Sequence, residues 1–180
     1  DETETSLIGF LQKKDYVVVT EKEKVKSFAD FDHVISFGYR HIISLDLIKT
    51  SKLHPINLHT AYLPFNKGSH PNFWSWIENT PHGVTIHEID EGVDTGNIIL
   101  QEETHLEVKD MTFKKSYKIL FNHIEKLFIE NYKYLLETKY KSMKQEGLGT
   151  YHRVADLPKW LTHWNMKIED AIVIYNERKK

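Results

Sequence analysis

The strongest periodic signal lies in the second half of the chain. Phe113, Tyr117, Leu120, Ile124, Leu127, Phe128 and Leu135 recur there at helical spacing, with Lys and Glu between them. A stripe of that kind predicts a long amphipathic helix packed on a sheet face. Upstream the period changes. Tyr16–Thr20 is a β-branched run, His33–Gly38 a second run halted by glycine, and Pro55–His59 a third, and each predicts a buried strand. Leu7, Ile8 and Leu11 follow a Thr/Glu-rich stretch suited to a helix start, and Ile42–Ile48 predicts another short helix. Strands alternating with helices at this spacing predict an α/β fold: a mostly parallel central sheet, right-handed crossovers and flanking helices.

After His59 the texture shifts. Pro64, Gly68 and Pro71 break residues 60–71 into a loop, and Asn72–Glu78 predicts an aromatic-rich helix. Gly83–Ile89 alternates as a strand and Asn97–Glu102 continues as another, with the acidic turn Asp90–Gly96 between them. Gly147–Arg153 is punctuated by glycines, and Ile168–Tyr175 predicts a terminal helix. No repeat, low-complexity tract or linker divides residues 1–180. They are expected to form a single catalytic domain with a helical extension from about residue 113.

Composition narrows the function. The 180 residues carry 24 Lys+Arg against 26 Asp+Glu, a net charge of -2, so no broad basic field is available for a polyanion. Zero cysteines remove disulfides, thiolate metal sites and cysteine nucleophiles. No apolar run approaches the ~20 residues of a membrane span. The chain opens on Asp-Glu-Thr-Glu without an initiator Met, as a trimmed piece would. The expected protein is cytoplasmic, with no nucleic-acid partner and no membrane partner, and a homodimer is the assembly considered for it.

Three features fall where an α/β sheet places its ligands. Asn57 and His59 stand two apart on one strand and so share a face. The Leu63-Pro64 to Gly68 loop follows them, and Asp94 lies in the glycine-flanked acidic turn. An amide, an imidazole and a carboxylate together suit a reaction that builds negative charge on an oxygen while moving a proton. Each feature also has an ordinary structural reading, as a satisfied core polar group or a β-turn.

Together these residues carry a resemblance. Ile56-Asn57-Leu58-His59, Leu63-Pro64, Gly68, Pro71, Gly83–His87 and Asp94–Ile99 resemble the formyltransferase family that uses 10-formyltetrahydrofolate, over roughly residues 30–105. The resemblance implies a Rossmann-like formyltransferase fold with catalytic Asn57, His59 and Asp94. It implies 10-formyltetrahydrofolate as co-substrate and no metal. It also implies pterin contacts from His41 and Ile43 and from Glu88, Ile89, Asp90 and Val93, mostly through main chain. His87 stands where the family often carries a histidine, either touching ligand or packing in its strand. A full family member begins with a strand ahead of the first helix, and residues 1–6 show none.

Among the family's branches, the methionyl-tRNA enzymes carry a further C-terminal domain and a basic surface, and the formyl-folate hydrolases an upstream domain. Too few residues follow position 105 for the former. The nucleotide-sugar branch fits better, with Tyr39 and Arg40 expected to meet the substrate and Arg40 able to bind a pyrophosphate bidentately. The expected substrate is therefore the amine of a nucleotide-linked amino sugar. Phe73, Trp74, Trp76 and Trp160 invite either base stacking or core packing, and Tyr151-His152 would close the substrate side. Two other classes remain: a metal-dependent hydrolase using His59, His70 and His87 with Asp94, and a silent nucleotide-binding module.

Overall fold

The structure, a computed structural model, describes residues 5–137 and 139–179. In chain order its elements are α1 (Leu7–Gln12), β1 (Ile35–Phe37), α2 (Leu45–Ile48), β2 (Ile56–His59), β3 (Lys67–Gly68) and α3 (Pro71–Ile77). After these come β4 (Gly83–Glu88), β5 (Ile98–Glu103), α4 (Phe113–Leu136), β6 (Tyr151–His152) and α5 (Ile168–Arg178).

The long stripe forms α4. Its start is fixed by Thr112, whose side chain accepts from the Lys115 N–H, and its apolar face buries Phe113, Leu120, Ile124, Leu127, Phe128 and Leu135. Most of that face packs on Ile56 and Leu58 of β2 and on Val84 and Ile86 of β4. Each such side chain is worth about 1.5–3 kcal/mol when fully buried. Glu125, buried on the same helix, accepts from Thr5 Oγ1 at 2.6 Å, from Ser6 Oγ at 2.8 Å and from the Ser6 N–H at 2.8 Å, which ties α1 to α4. α4 thus forms a layer packed on the sheet.

The α/β class and the flanking helices are as expected, but the direction of the sheet is not. The sheet order is β1-β2-β4-β5; β1 and β2 run parallel, while β2·β4 and β4·β5 are antiparallel. The short acidic turn joins β4 to β5 as a hairpin, which forces antiparallel pairing. Tyr16–Thr20 is a second correction. It forms no strand; Tyr16 and Val18 pack on the core, while Val17 and Val19 are 96% and 64% exposed. The β-branched run is there, but among the described residues it pairs with no strand, and burial on one face alone does not make a strand.

A second apolar cluster joins Phe73, Trp74 and Trp76 of α3 to Phe113, Ile168 and Ala171, with Trp160 packed against it. The aromatic run on α3 is therefore core. Beside it β3 and β6 pair in parallel, Lys67 opposite Tyr151 and Gly68 opposite His152. Gly68 has φ +84°, and a Cβ there would sit on the His152 carbonyl oxygen. A Gly68→Ala variant is expected to lose at least about 2 kcal/mol, read as a fall of roughly 4–8 °C in thermal midpoint. An unchanged midpoint would contradict this account of the loop. Among the described residues no helix is long and apolar enough to cross a membrane.

Candidate active site

Strand alternation builds the site. Ile56 and Leu58 of β2 face α4, so Asn57 and His59 face the other way; Val84 and Ile86 of β4 face α4, so Thr85 and His87 share the outer face. The antiparallel register sets Asn57 opposite His87 and His59 opposite Thr85. The hairpin then returns Asp94 over this patch, in a left-handed conformation with φ +54°.

The three groups expected to act together do converge. Asn57 Nδ2 donates to Asp94 Oδ1 at 3.2 Å, and the Gly68 N–H donates to Asp94 Oδ2 at 2.8 Å. His59 Nε2 lies 3.7 Å from Asp94 Oδ2, and His87 Nε2 lies 3.4 Å from Asp94 Oδ1. The His59 Nε2–H donates to the Asn66 carbonyl at 3.1 Å, and His87 Nδ1–H to the Glu88 carbonyl at 2.7 Å. With Nδ1 turned to the Glu88 carbonyl, His87 presents Nε2 to Asn57 Nδ2 at 3.1 Å as well as to Asp94 Oδ1. The Asn57 amide is thus oriented by one imidazole and one carboxylate.

Electrostatics follow from this packing. Burial alone would raise the Asp94 carboxyl, but His59, His87 and the Gly68 N–H outweigh it and hold the group well below the usual carboxylate range. For His59, burial pushes the imidazole below its ordinary value, with Asp94 pulling against that and His87 adding to it. The resting site therefore holds a carboxylate beside a neutral, N–H-bearing imidazole.

The loop expected to meet the cofactor divides in two. Both main-chain groups of Glu88 are engaged: its N–H bonds to Asn97 O at 2.9 Å and its carbonyl takes His87. The Glu88 carboxylate lies on the α4 side, accepting from Asn97 and Ser142. Ile89 is likewise engaged, its N–H to Pro55 O at 2.9 Å and its carbonyl to His54 Nε2 at 2.9 Å. The Asp90 carboxylate folds back onto the Gly92 N–H and the Thr95 hydroxyl, and Val93 is 40% exposed.

Tyr39, Arg40, His41 and Ile43 sit on the connection between β1 and α2. The Tyr39 hydroxyl donates to Glu23 O at 2.9 Å and accepts from the Val25 N–H at 3.1 Å, so it latches the 21–26 turn. Arg40 is exposed and joins none of the ion pairs among the described residues. The exposed His41 stands edge-on to the Tyr39 ring at 5.3 Å, and Ile43 is half-buried. No hydrogen bond among the described residues links these four to the Asn57–Asp94 cluster. His70 is separate too, its ring 5.4 Å from that of Trp164. Among the described residues no group of three His, Asp or Glu side chains is placed to hold a metal ion.

Two contributors escaped the sequence reading. The Gly68 N–H is a main-chain donor that no residue letter announces, though a glycine after a Pro-bounded loop hints at it. Gln145 reaches the Asp94 loop from a segment with no periodic signal. A cleft of about 530 Å³, lined by Ile56, Glu88, Leu135 and Tyr140 among others, lies on the α4 side of the sheet, away from the polar cluster.

Comparison with known proteins places this geometry. Residues 13–130 match the formyl transferase family. The chain is 34% identical over 156 residues to a methionyl-tRNA formyltransferase of Clostridium botulinum, covering 86% of this chain and 48% of that protein. It is 30% identical over 120 residues to the GDP-perosamine N-formyltransferase of Brucella melitensis, covering 63% of this chain and 46% of the relative. The chain thus spans about half the length of the curated relatives it matches. Among solved structures, the formyltransferase PseJ from Anoxybacillus kamchatkensis superposes with a TM-score of 0.85 at 37% identity, covering 91% of this chain and 90% of that one. PseJ was crystallised with UDP-4,6-dideoxy-4-formamido-L-AltNAc and tetrahydrofolate.

Proposed function

We infer, since the chain belongs to the formyl transferase family, that it moves a formyl group from 10-formyltetrahydrofolate to the primary amine of a nucleotide-linked amino sugar. The observation that carries this reading is the convergence of Asn57, His59 and Asp94, with the Gly68 N–H closing the carboxylate's other oxygen. The likeness to PseJ over nearly the whole of both chains, and PseJ's nucleotide-sugar ligand, favour the sugar branch. The near-balanced charge supports the same branch over tRNA.

The formyl donor is a co-substrate, and His41 and Ile43 together with Glu88, Ile89, Asp90 and Val93 are assigned to it, mostly through main chain, with Ile43 and Val93 adding apolar contact. Arg40 and Tyr39 are assigned to the nucleotide-sugar side, Arg40 through its exposed guanidinium, which joins no ion pair among the described residues. When the amine adds to the formyl carbon, the formyl oxygen takes the negative charge. Asn57 Nδ2–H is a donor able to hold it, and the His59 N–H becomes a second once it exchanges the Asn66 carbonyl for the substrate oxygen, in a setting where burial strengthens each hydrogen bond. Asp94 keeps both donors turned to the site and stabilises the imidazolium if His59 takes the amine proton. That proton then passes to the departing folate nitrogen, which balances the transfer.

The test is a transfer assay. 10-Formyltetrahydrofolate is offered with a panel of UDP-, dTDP- and GDP-linked amino sugars, with methionyl-tRNA and glycinamide ribonucleotide as controls. The acceptor's mass gain is read in each case. Formylation of a nucleotide-linked sugar amine is the expected result; formylation of methionyl-tRNA alone, or of nothing, would overturn the assignment.

A further inference from the structure

Gln145 lies outside every helix and strand, on the stretch between α4 and β6, and its side-chain NH2 donates to two carbonyls at once. The acceptors are Asp94 O at 2.8 Å and Gly96 O at 2.8 Å. Facing two carbonyl oxygens, only the NH2 end of the amide can point this way, so the orientation is dictated by chemistry. The other end, Oε1, is buried and finds no partner among the described residues. A glutamine held here with its Oε1 unpaired among the described residues acts through its NH2, and both hydrogen bonds that group makes among them go to the Asp94 turn.

The same stretch grips both catalytic loops. Met143 exchanges main-chain hydrogen bonds with Ile98, N to O at 2.8 Å and O to N at 2.7 Å, beside the turn. Further on, the Thr150 N–H donates to Pro64 O at 3.2 Å, and the Asn66 N–H donates to Thr150 Oγ1 at 2.8 Å. Gly149 lies so close that a Cβ there would meet the Pro64 carbonyl. One strap thus holds the turn that carries Asp94 and the loop that carries the Gly68 N–H, the two meeting at the Asp94 carboxylate.

We propose that Gln145 is a positioning residue for formyl transfer, clipping the left-handed Asp94 turn so that its carboxylate stays between Asn57, His59, His87 and the Gly68 N–H. This rests on the formyl-transfer reading for its effect on rate, but not for its effect on Asp94. Without the clip, Asp94 drifts from its partners while the substrate surfaces are left alone. Turnover falls and KM holds.

Gln145→Leu keeps the side chain's bulk without its donors, and Gln145→Ala serves as a second variant should the first fold poorly. Two readouts are taken on the unliganded and active protein. The first is kcat and KM for 10-formyltetrahydrofolate and the accepted amine; the second is the His59 protonation midpoint from NMR of histidine-labelled protein. The groups facing Asp94 are Asn57 and His59 of β2, His87 of β4 and the Gly68 N–H of β3, so a loosened carboxylate withdraws support from the His59 cation. The expected result is a fall in kcat of about tenfold or more with KM within about threefold, and a His59 midpoint moved to lower pH. Wild-type kcat in both variants, or a loss that tracks the folded fraction with an unmoved His59 midpoint, overturns the proposal. If the wild type formylates no amine, the functional reading fails. A shifted His59 midpoint would then still uphold the clip, and an unshifted one would remove it.

Discussion

An Asp94→Asn variant is expected to lose about 10²–10⁴ in turnover while keeping its fold. The side chain changes by one atom, but that atom turns an acceptor into a donor. In the native site both carboxylate oxygens accept, one from Asn57 Nδ2 and one from the Gly68 N–H. An amide nitrogen in either place faces another donor, so Asn57 or Gly68 must move. The charge that supports a protonated His59 is lost with it. The pH dependence of stability should change too. The folded-state Asp94 value lies below the free value of 3.8, so the unfolded chain takes the proton first; its contribution is complete above that value and drains away as pH falls through the folded-state value. His59 acts in the same sense at a higher pH. With its folded-state value below 6.5, acidification beneath 6.5 favours the unfolded chain. Thermal midpoints followed from about pH 7 to about pH 3 should therefore show a late acid loss in the wild type that Asp94→Asn lacks. An unaltered acid limb, together with native turnover, would contradict the role given to this carboxylate.

Asn57→Ala is the second large effect, a loss of about 10²–10³ in turnover, the usual cost of removing one donor to a developing oxyanion. In the resting protein the Asn57 NH2 is shared between His87 Nε2 and Asp94 Oδ1. In the proposed reaction one of these bonds is exchanged for the substrate oxygen as charge builds. The half-buried position and the intact backbone ladder to β1 and β4 mean the truncated protein should fold. Steady-state rates at saturating co-substrate, with circular dichroism as the folding control, check it; turnover within tenfold of native would remove Asn57 from the chemistry.

How much of this the sequence could show depends on whether a residue's partner is near in sequence or must be found by folding. Periods of 3.6 and 2 report local faces, so α4, β2 and β4 were legible to within a residue or two. So was the shared face of Asn57 and His59, which needs only the pleat. The pairing of Lys67–Gly68 with Tyr151–His152 was not legible, because two-residue strands carry no period. Tyr16–Thr20 shows the converse: its β-branched run predicts a buried strand, yet it makes no strand in the structure. Strand direction depended on how tightly the turn after β4 closes, and composition does not state that. The carboxylate's partners divide in the same way, since the Gly68 N–H is main chain and Gln145 arrives from more than forty residues downstream of β5's start. Assigning His41, Ile43, Tyr39 and Arg40 came from likeness to relatives, and the structure sets them on the loop that follows β1, the neighbour of β2 in the sheet.

The most direct measurement is formyl transfer from 10-formyltetrahydrofolate to a nucleotide-linked amino sugar, run side by side with native protein and Asn57→Ala and read as mass gain on the acceptor. The account predicts formylated sugar from the native protein, and a rate about 10²–10³ lower from the variant under the same saturating conditions. Equal rates, or no formylated sugar from the native protein, would contradict it.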